Sequence, residues 1–305
     1  MGPLWAAFAL ALSIAICSCA QDVKITAPRY ALVYGVADYQ TDKLYYTVDD
    51  ARSMASTLTT YGCSAANIHE KEDNAVTKAQ IRSDILSLAS VSSDSTVLFY
   101  YSGHGSYVDS TWGPPYYPAH SGPYIVPYDA VGADGIDITT VVNLISPSEL
   151  ASWFSQVGTK NVIIILDSCF SGGFVSPGSA IDASPQDYSS MPYFSAFSTA
   201  LSNFGSLLVA NASASGAKTP IVFSAAGTNE SSYDGTVAMQ HGVFTYYLLQ
   251  AATDGDSNGD GVVTTTEAYV YTSVAIKSQW DANPYVIAFL PHISGGTRDL
   301  VLFVK

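Results

Sequence analysis

Two short segments of this chain set a reactive side chain among glycines. Ser102-Gly-His-Gly105 carries an imidazole at His104, and Asp167-Ser-Cys-Phe-Ser-Gly-Gly173 carries a thiol at Cys169. Each follows an apolar run, Thr96 to Tyr101 and Asn161 to Leu166, that reads as a buried β-strand. In an open α/β sheet, ligands bind beyond the carboxyl ends of the strands. Parallel neighbours therefore bring His104 and Cys169 to one rim. A thiolate is a strong nucleophile, and a nearby imidazole can generate it and later protonate a leaving amine. The flanking glycines let a peptide backbone approach closely and leave the amides of Gly105 and Cys169 free to hold an oxyanion. Taken singly, the two residues read as a turn histidine and a buried strand-end cysteine. Together they predict acyl transfer by a Cys–His dyad.

A second constellation is Asp256-Ser-Asn258-Gly-Asp260-Gly261-Val262-Val-Thr-Thr-Thr-Glu267. It fits the EF-hand calcium loop: oxygen side chains at the first, third and fifth positions, Gly at the sixth, an apolar residue at the eighth and Glu at the twelfth. The donors would be Asp256, Asn258, Asp260, the carbonyl of Val262, and Glu267, around a structural Ca²⁺. An acidic turn between two helices is the alternative.

The elements that must position these residues alternate strand and helix. Tyr30 to Val36 is a continuous apolar strand, followed by a helix from Asp49 to Tyr61 with Met54, Leu58 and Tyr61 on one face and Gly62 as its stop. A short strand from Asn67 to Lys71 leads to a capping box, Thr77-Lys-Ala-Gln80, and a helix carrying Ile81, Ile85 and Leu88. After the His motif, Gly103 to Gly135 reads as a Gly/Pro/Tyr-rich loop. A second capping box, Ser146-Pro-Ser-Glu149, opens a helix to Val157. Beyond the Cys motif, Ser171 to Ala217 is rich in Ser, Ala, Gly and Pro, and reads as a linker or flap. A strand from Pro220 to Ala225, helices from Val243 to Ala251 and Thr265 to Trp280, and a strand from Leu300 to Val304 complete the pattern. No internal repeat is present. The alternation predicts one α/β domain, a three-layer sandwich with a mainly parallel sheet flanked by helices.

Composition narrows the function classes. The 305 residues hold 12 Lys+Arg against 26 Asp+Glu, a formal net charge of -14. That acidity argues against a nucleic-acid binder, which needs a basic stripe. Hydrophobic residues make up 48% and charged residues 12%, which excludes a disordered chain and a coiled coil. Met1 to Gln21 has no charged side chain, and its apolar core reads as a signal peptide cleaved after Ala20. Ile16-Cys-Ser-Cys19 also resembles a lipobox, which would put a lipid on Cys19. The absence of Lys or Arg near the start leaves an uncleaved anchor open. The mature chain, from residue 21 to 305, is expected to be exported: secreted, periplasmic or held at the cell surface, and monomeric. It keeps only Cys63 and Cys169, too few for a disulfide framework. Cys63 reads as a small buried hydrophobe. His69, His120, His241 and His292 share no metal-ligand spacing and are read as structural.

The motifs at 102–105 and 167–173 resemble the His and Cys motifs of the caspase-like cysteine peptidases, closest to metacaspases and bacterial caspase-like proteins. The similarity runs from Tyr30 to Phe303. It includes Ser224-Ala-Ala-Gly-Thr-Asn-Glu-Ser-Ser232, like the start of the family's small-subunit half, and Gly242-Val-Phe-Thr-Tyr-Tyr-Leu-Leu249, like its following helix. The resemblance implies a large-subunit-like half at 28–175, a linker at 176–218 and a small-subunit-like half at 219–305. It implies His104 as general base and acid and Cys169 as nucleophile on polypeptide substrates. In metacaspases an Asp after the first strand, the Ser of the His motif and the Asp two before the nucleophile recognise Arg or Lys. Here these match Asp50, Ser102 and Asp167, and a carboxylate pair suits a guanidinium fork. Asp49 competes with Asp50 for the first place, and Asp50 also reads as a charge at its own helix start. Family members often carry a calcium loop at the place of 256–267.

The chain departs from the pattern at two further points. Ser171 to Ala217 contains no Lys or Arg, so cleavage between the halves has little substrate there, and Asn229 stands where metacaspases place an Asp. The reading is an exported cysteine endopeptidase cleaving after Arg or Lys. The competing reading is a catalytically silent, calcium-binding surface or adhesion protein on the same fold. A serine or zinc hydrolase is disfavoured, since neither Gly-x-Ser-x-Gly nor His-Glu-x-x-His occurs.

Overall fold

The computed structural model describes residues 25–40, 43–108, 122–130, 143–168, 220–225, 235–283, 286, 288, 291–294 and 299–305. Strand β1 (Arg29–Gly35) leads to helix α1 (Thr47–Thr60), β2 (Ile68–Glu72), α2 (Lys78–Ser87) and β3 (Thr96–Ser102). After β3 come β4 (Gly105–Val108), β5 (Gly122–Ile125), α3 (Pro147–Phe154) and β6 (Asn161–Asp167). The remainder contributes β7 (Ile221–Ser224), α4 (Val243–Asp254), β8 (Val262–Thr264), α5 (Thr265–Ala275), β9 (His292–Ser294) and β10 (Val301–Val304).

The central six-stranded sheet has the order β2-β1-β3-β6-β7-β9. Pairing is parallel from β2 through β7, and β9 joins β7 antiparallel. The continuous apolar runs of β1, β3 and β6 are buried along almost their whole length, as strands covered on both faces require. Successive residues of β3 show the two covers. Phe99 meets Phe154 of α3 edge-on with ring centroids 5.7 Å apart, while Tyr100 shares a 2.6 Å hydrogen bond with Thr245 of α4. Alternation of side chains along a strand thus serves two helix layers. Tyr34 of β1 lies beside Phe99 and donates to Asp84 of α2 at 3.0 Å, which puts α2 on the α3 side.

Local signals act as expected at most helix starts. Ser146 and Glu149 form a complete capping box at α3, with Pro147 at the first helical position. At α2 only half the box forms. Thr77 accepts from the Gln80 amide, but the Gln80 side chain donates to Asp84 instead of turning back.

Three features differ from the sequence reading. Part of the Gly103–Gly135 stretch is an antiparallel ribbon, β4 with β5, and its remainder lies outside the described residues. The last strand, β10, is not in the main sheet but pairs antiparallel with β8. It is held there by the buried Arg29 guanidinium, which donates to the carbonyls of Tyr61, Val301 and Leu302. The edge strand β9 is three residues long and too short to carry a periodic signal. The leader and the Ser171–Ala217 segment lie outside the described residues. Among the described residues, no helix is long and apolar enough to cross a membrane.

Candidate active site

The register of three strands builds the rim. Gly35 of β1 pairs with Ser102 of β3, and Ser102 pairs with Asp167 of β6. The His motif and the Cys motif therefore leave the sheet side by side and at the same level. The Gly103 amide donates to the Asp167 carbonyl at 3.2 Å, tying the two exits together. Cys169, read as nucleophile and oxyanion donor, lies outside the described residues, as does Asn229.

His104 is buried, and its peptide is gripped by two tyrosines absent from the sequence reading. The His104 amide donates to the Tyr39 hydroxyl at 3.0 Å. The Tyr101 hydroxyl lies 3.0 Å from that of Tyr39 and 2.6 Å from the Val126 carbonyl. The His104 carbonyl accepts from the Val126 amide at 3.0 Å and sits 3.1 Å from the Tyr101 hydroxyl. The Tyr39 ring also packs on the imidazole, centroids 4.5 Å apart. Tyr39 comes from the turn after β1, where Asp73 accepts from the amides of Ala37 and Asp38 at 2.8 Å. Burial holds the Tyr101 hydroxyl protonated, well above its ordinary pKa. Tyrosine is common in this chain, and only the fold separates these two from the rest.

The three residues assigned to substrate recognition converge. Asp50 lies in the first turn of α1, but its carboxylate does not serve its own helix. Ser102 Oγ donates to Asp50 Oδ2 at 2.9 Å, and the Gly242 amide donates to Oδ1 and Oδ2 at 3.1 and 3.3 Å. His241 Nδ1 lies 3.0 Å from Oδ1. Asp167 accepts from the amide and hydroxyl of Thr245 at 3.2 and 2.6 Å. The two carboxylates thus share the unpaired amides at the start of α4, where the helix dipole favours negative charge. Their approach leaves no room for a side chain at 242: a Cβ there would sit 2.7 Å from Asp167 Oδ2. Asp49, the competitor, is half-exposed and pairs with Arg52.

Burial dominates the electrostatics. The Asp50 carboxyl is pushed up to about 7 by desolvation, eased by the His241 hydrogen bond and reinforced by the charge of Asp167. Tyr100, beside both acids, has its hydroxyl raised well above the usual value by burial and by their charges. His241, read from the sequence as structural, belongs to this cluster. Its place immediately before a helix that opens on glycine was the signal. Cys63 is buried as expected, its Sγ 3.3 Å from the Arg29 carbonyl.

The 256–267 loop stands apart from the rim. Asp256 accepts from the amides of Gly259, Asp260 and Gly261, and Asp260 accepts from Val262. Gly261, at the sixth position, takes a φ of +84°, which side chains disfavour. Glu267 completes a capping box with Thr264 at the start of α5 and reaches Ser257 at 2.9 Å. Burial raises its pKa, but the bonds from Thr264 and Ser257 outweigh it and hold the carboxyl below its ordinary range. Lys305 Nζ lies 3.9 Å from Asp256. Among the described residues, no three His, Cys, Asp or Glu side chains are gathered to hold a metal. The oxygen donors and the loop's trace suit a hard cation, and Glu267 Oε1 is engaged here by the amide and hydroxyl of Ser257.

Comparison with known proteins agrees with this architecture. The model of the caspase domain family matches residues 28–284. No curated protein matches significantly. Among solved structures, protein GSU0716 from Geobacter sulfurreducens is similar with a TM-score of 0.54 and 19% identity, over 89% of this chain and 95% of that one. At that identity the likeness speaks for the fold alone. The family match spans both motifs and the parallel strands that align them, and the chain belongs to the caspase-domain family of cysteine peptidases.

Proposed function

We propose that this protein is an exported cysteine endopeptidase that cleaves polypeptides after Arg or Lys through a Cys169–His104 dyad. The observation that carries the reading is the shared register of Ser102 and Asp167, which sets the His motif and an acidic cluster at the exit of the Cys-motif strand. His104 takes the proton of the Cys169 thiol, and the thiolate attacks the scissile carbonyl carbon. The amides of Gly105 and Cys169 stabilise the oxyanion. The imidazolium returns the proton to the leaving amine as the C–N bond breaks, leaving a thioester. Water, deprotonated by His104, then attacks the thioester, releasing the carboxylic acid and restoring the thiol. The tyrosine pair keeps the His104 peptide still through both steps. Asp50, Ser102 and Asp167 receive the basic side chain. Their negative potential is opposite to what an acidic side chain needs.

Ca²⁺ is proposed as a structural ion held by Asp256, Asn258, Asp260, the Val262 carbonyl and Glu267. Bound there, it would supply charge neutralisation to the loop between α4 and α5 and take no part in bond cleavage. Export follows from the apolar leader, with a lipid on Cys19 as its anchored form, and the catalytic unit acts as a monomer.

The test is a positional peptide library, with and without calcium chelator, on wild type and Cys169→Ala. Cleavage after Arg or Lys by wild type, absent in Cys169→Ala, is the expected result. Cleavage after Asp with Arg peptides inert removes the pocket assignment. Near-wild-type turnover by Cys169→Ala removes the dyad.

A further inference from the structure

The carboxylate assigned to the substrate is already engaged by the chain itself. Asp50 is 1% exposed at its side chain, and every polar contact described for it is internal: Ser102, the Gly242 amide and His241. Of these, only the His241 contact comes from a side chain that also reaches solvent, being 19% exposed. Ser102 lies on a central strand, and the Gly242 amide is fixed at the head of α4. An incoming guanidinium therefore reaches Asp50 by taking the place of the imidazole. We propose that His241 is a specificity-determining residue that occupies the Asp50 carboxylate in the substrate-free enzyme and yields it to the substrate's basic side chain. The inference rests on the Arg/Lys reading given above.

The segment that delivers His241 is a compact turn at the surface. Residues 235–240 carry no charged side chain, and Val237 at their tip is 81% exposed. The Gly235 amide donates to the His241 carbonyl at 2.8 Å, and the Met239 and Gln240 amides turn back to Thr236 at 2.9 and 3.1 Å. The loop is thus closed on itself, so its exchange of partners at Asp50 needs only the His241 side chain to turn away. Gln240, next to His241, has a φ of +54°, in the left-handed region that side chains disfavour. That backbone turn sets His241 against Asp50. Imidazole and guanidinium present the same kind of planar N–H to a carboxylate, but the guanidinium presents two in a fork. Substrate thus outcompetes the resident group.

Five groups face Asp50 and set the conditions of the test. His241, Ser102 and the Gly242 amide touch it. Asp167 of β6 raises its proton affinity, and Tyr100 of β3 stands beside both acids. His241 helps keep Asp50 ionised, so its removal raises the Asp50 pKa further from about 7. Comparison at about pH 9 keeps the carboxylate charged and the guanidinium protonated.

Agmatine, an arginine lacking its carboxylate, is the probe. By calorimetry on the full-length mature protein at that pH, His241→Ala is expected to bind agmatine about tenfold tighter than wild type, the worth of one hydrogen bond to a charged group. KM for an Arg peptide should fall by a similar factor. His241→Asn, which keeps an N–H donor, should fall between. Equal or weaker agmatine binding by His241→Ala overturns the proposal and makes the contact an anchor for α4. Should that variant fail to fold, carbon-13 NMR of histidine in the wild type decides. The chain has five histidines, and saturating agmatine should move the ring signals of His241. Unmoved signals overturn the proposal. A wild type that cleaves Arg peptides but passes neither test fails this inference alone. One that cleaves neither Arg nor Lys peptides fails the Arg/Lys reading beneath it.

Discussion

Two acidic regions of this molecule treat the same chemical group in opposite ways. At the rim, Asp50 and Asp167 come from α1 and β6 and draw on neighbouring donors at the start of α4. Their partners are far off in sequence, 191 residues separating Asp50 from His241 and 78 separating Asp167 from Thr245. In the 256–267 loop, Asp256 and Asp260 accept amides only two to five residues away. Burial wins at the rim and pushes Asp50 up to about 7. Local hydrogen bonds win in the loop and hold Glu267 down. A carboxylate out of water, whose donors come from distant segments, is poised to exchange one partner for a stronger one. A carboxylate saturated by its own loop is poised only to be ordered.

The largest effect should come from Asp50→Asn, which leaves shape and one acceptor but removes charge. kcat/KM for Arg peptides should fall about 100-fold, as when one member of a buried charge pair is lost. Stability should move the other way. The folded pKa of Asp50 lies above its ordinary 3.8, so ionising it costs folding free energy as pH rises from about 4 to about 7. The wild-type melting temperature should carry that falling component, and the variant should lack it. At about pH 8 the variant should melt no lower than wild type. A marked drop in its melting temperature would make the rim a structural clamp, no different in kind from the loop.

Tyr39→Phe should act next. It keeps the ring on His104 but deprives the buried His104 amide of its acceptor, at a cost of about 1–3 kcal/mol. kcat should fall about tenfold, and the pH–rate profile should shift, because the imidazole is no longer held in one position. An unchanged pH profile with a lower melting temperature would reduce Tyr39 to packing. The smallest effect belongs to the loop. Glu267→Gln should abolish a calcium-dependent rise in melting temperature of about a few degrees at millimolar Ca²⁺, while activity at low temperature persists. Complete loss of activity in a folded Glu267→Gln would join the two regions into one regulated site.

What could be read from the residues follows the same division. The strands β1, β3 and β6 announce themselves as unbroken apolar runs, and α3 by its capping box, because burial on two faces and the unpaired amides of a helix start are demands met within a few residues. The 256–267 loop is legible for the same reason: its side chains serve its own amides. The His and Cys motifs stand out because each sets a reactive side chain among glycines at the end of an apolar run. Register lies beyond such signals. The alignment of Ser102 with Asp167, the grip of Tyr39 and Tyr101 on His104, and the seat of His241 on Asp50 join residues tens to hundreds of positions apart. Nothing in one segment encodes its partner in another. Likewise β10 reads as a strand, yet its place beside β8 depends on Arg29, at the other end of the chain, finding the carbonyls of Val301 and Leu302. Sequence alone determined which groups could react and which local turns could form. The tertiary structure decided which carboxylate is taken out of water, since that depends on what the fold packs around it.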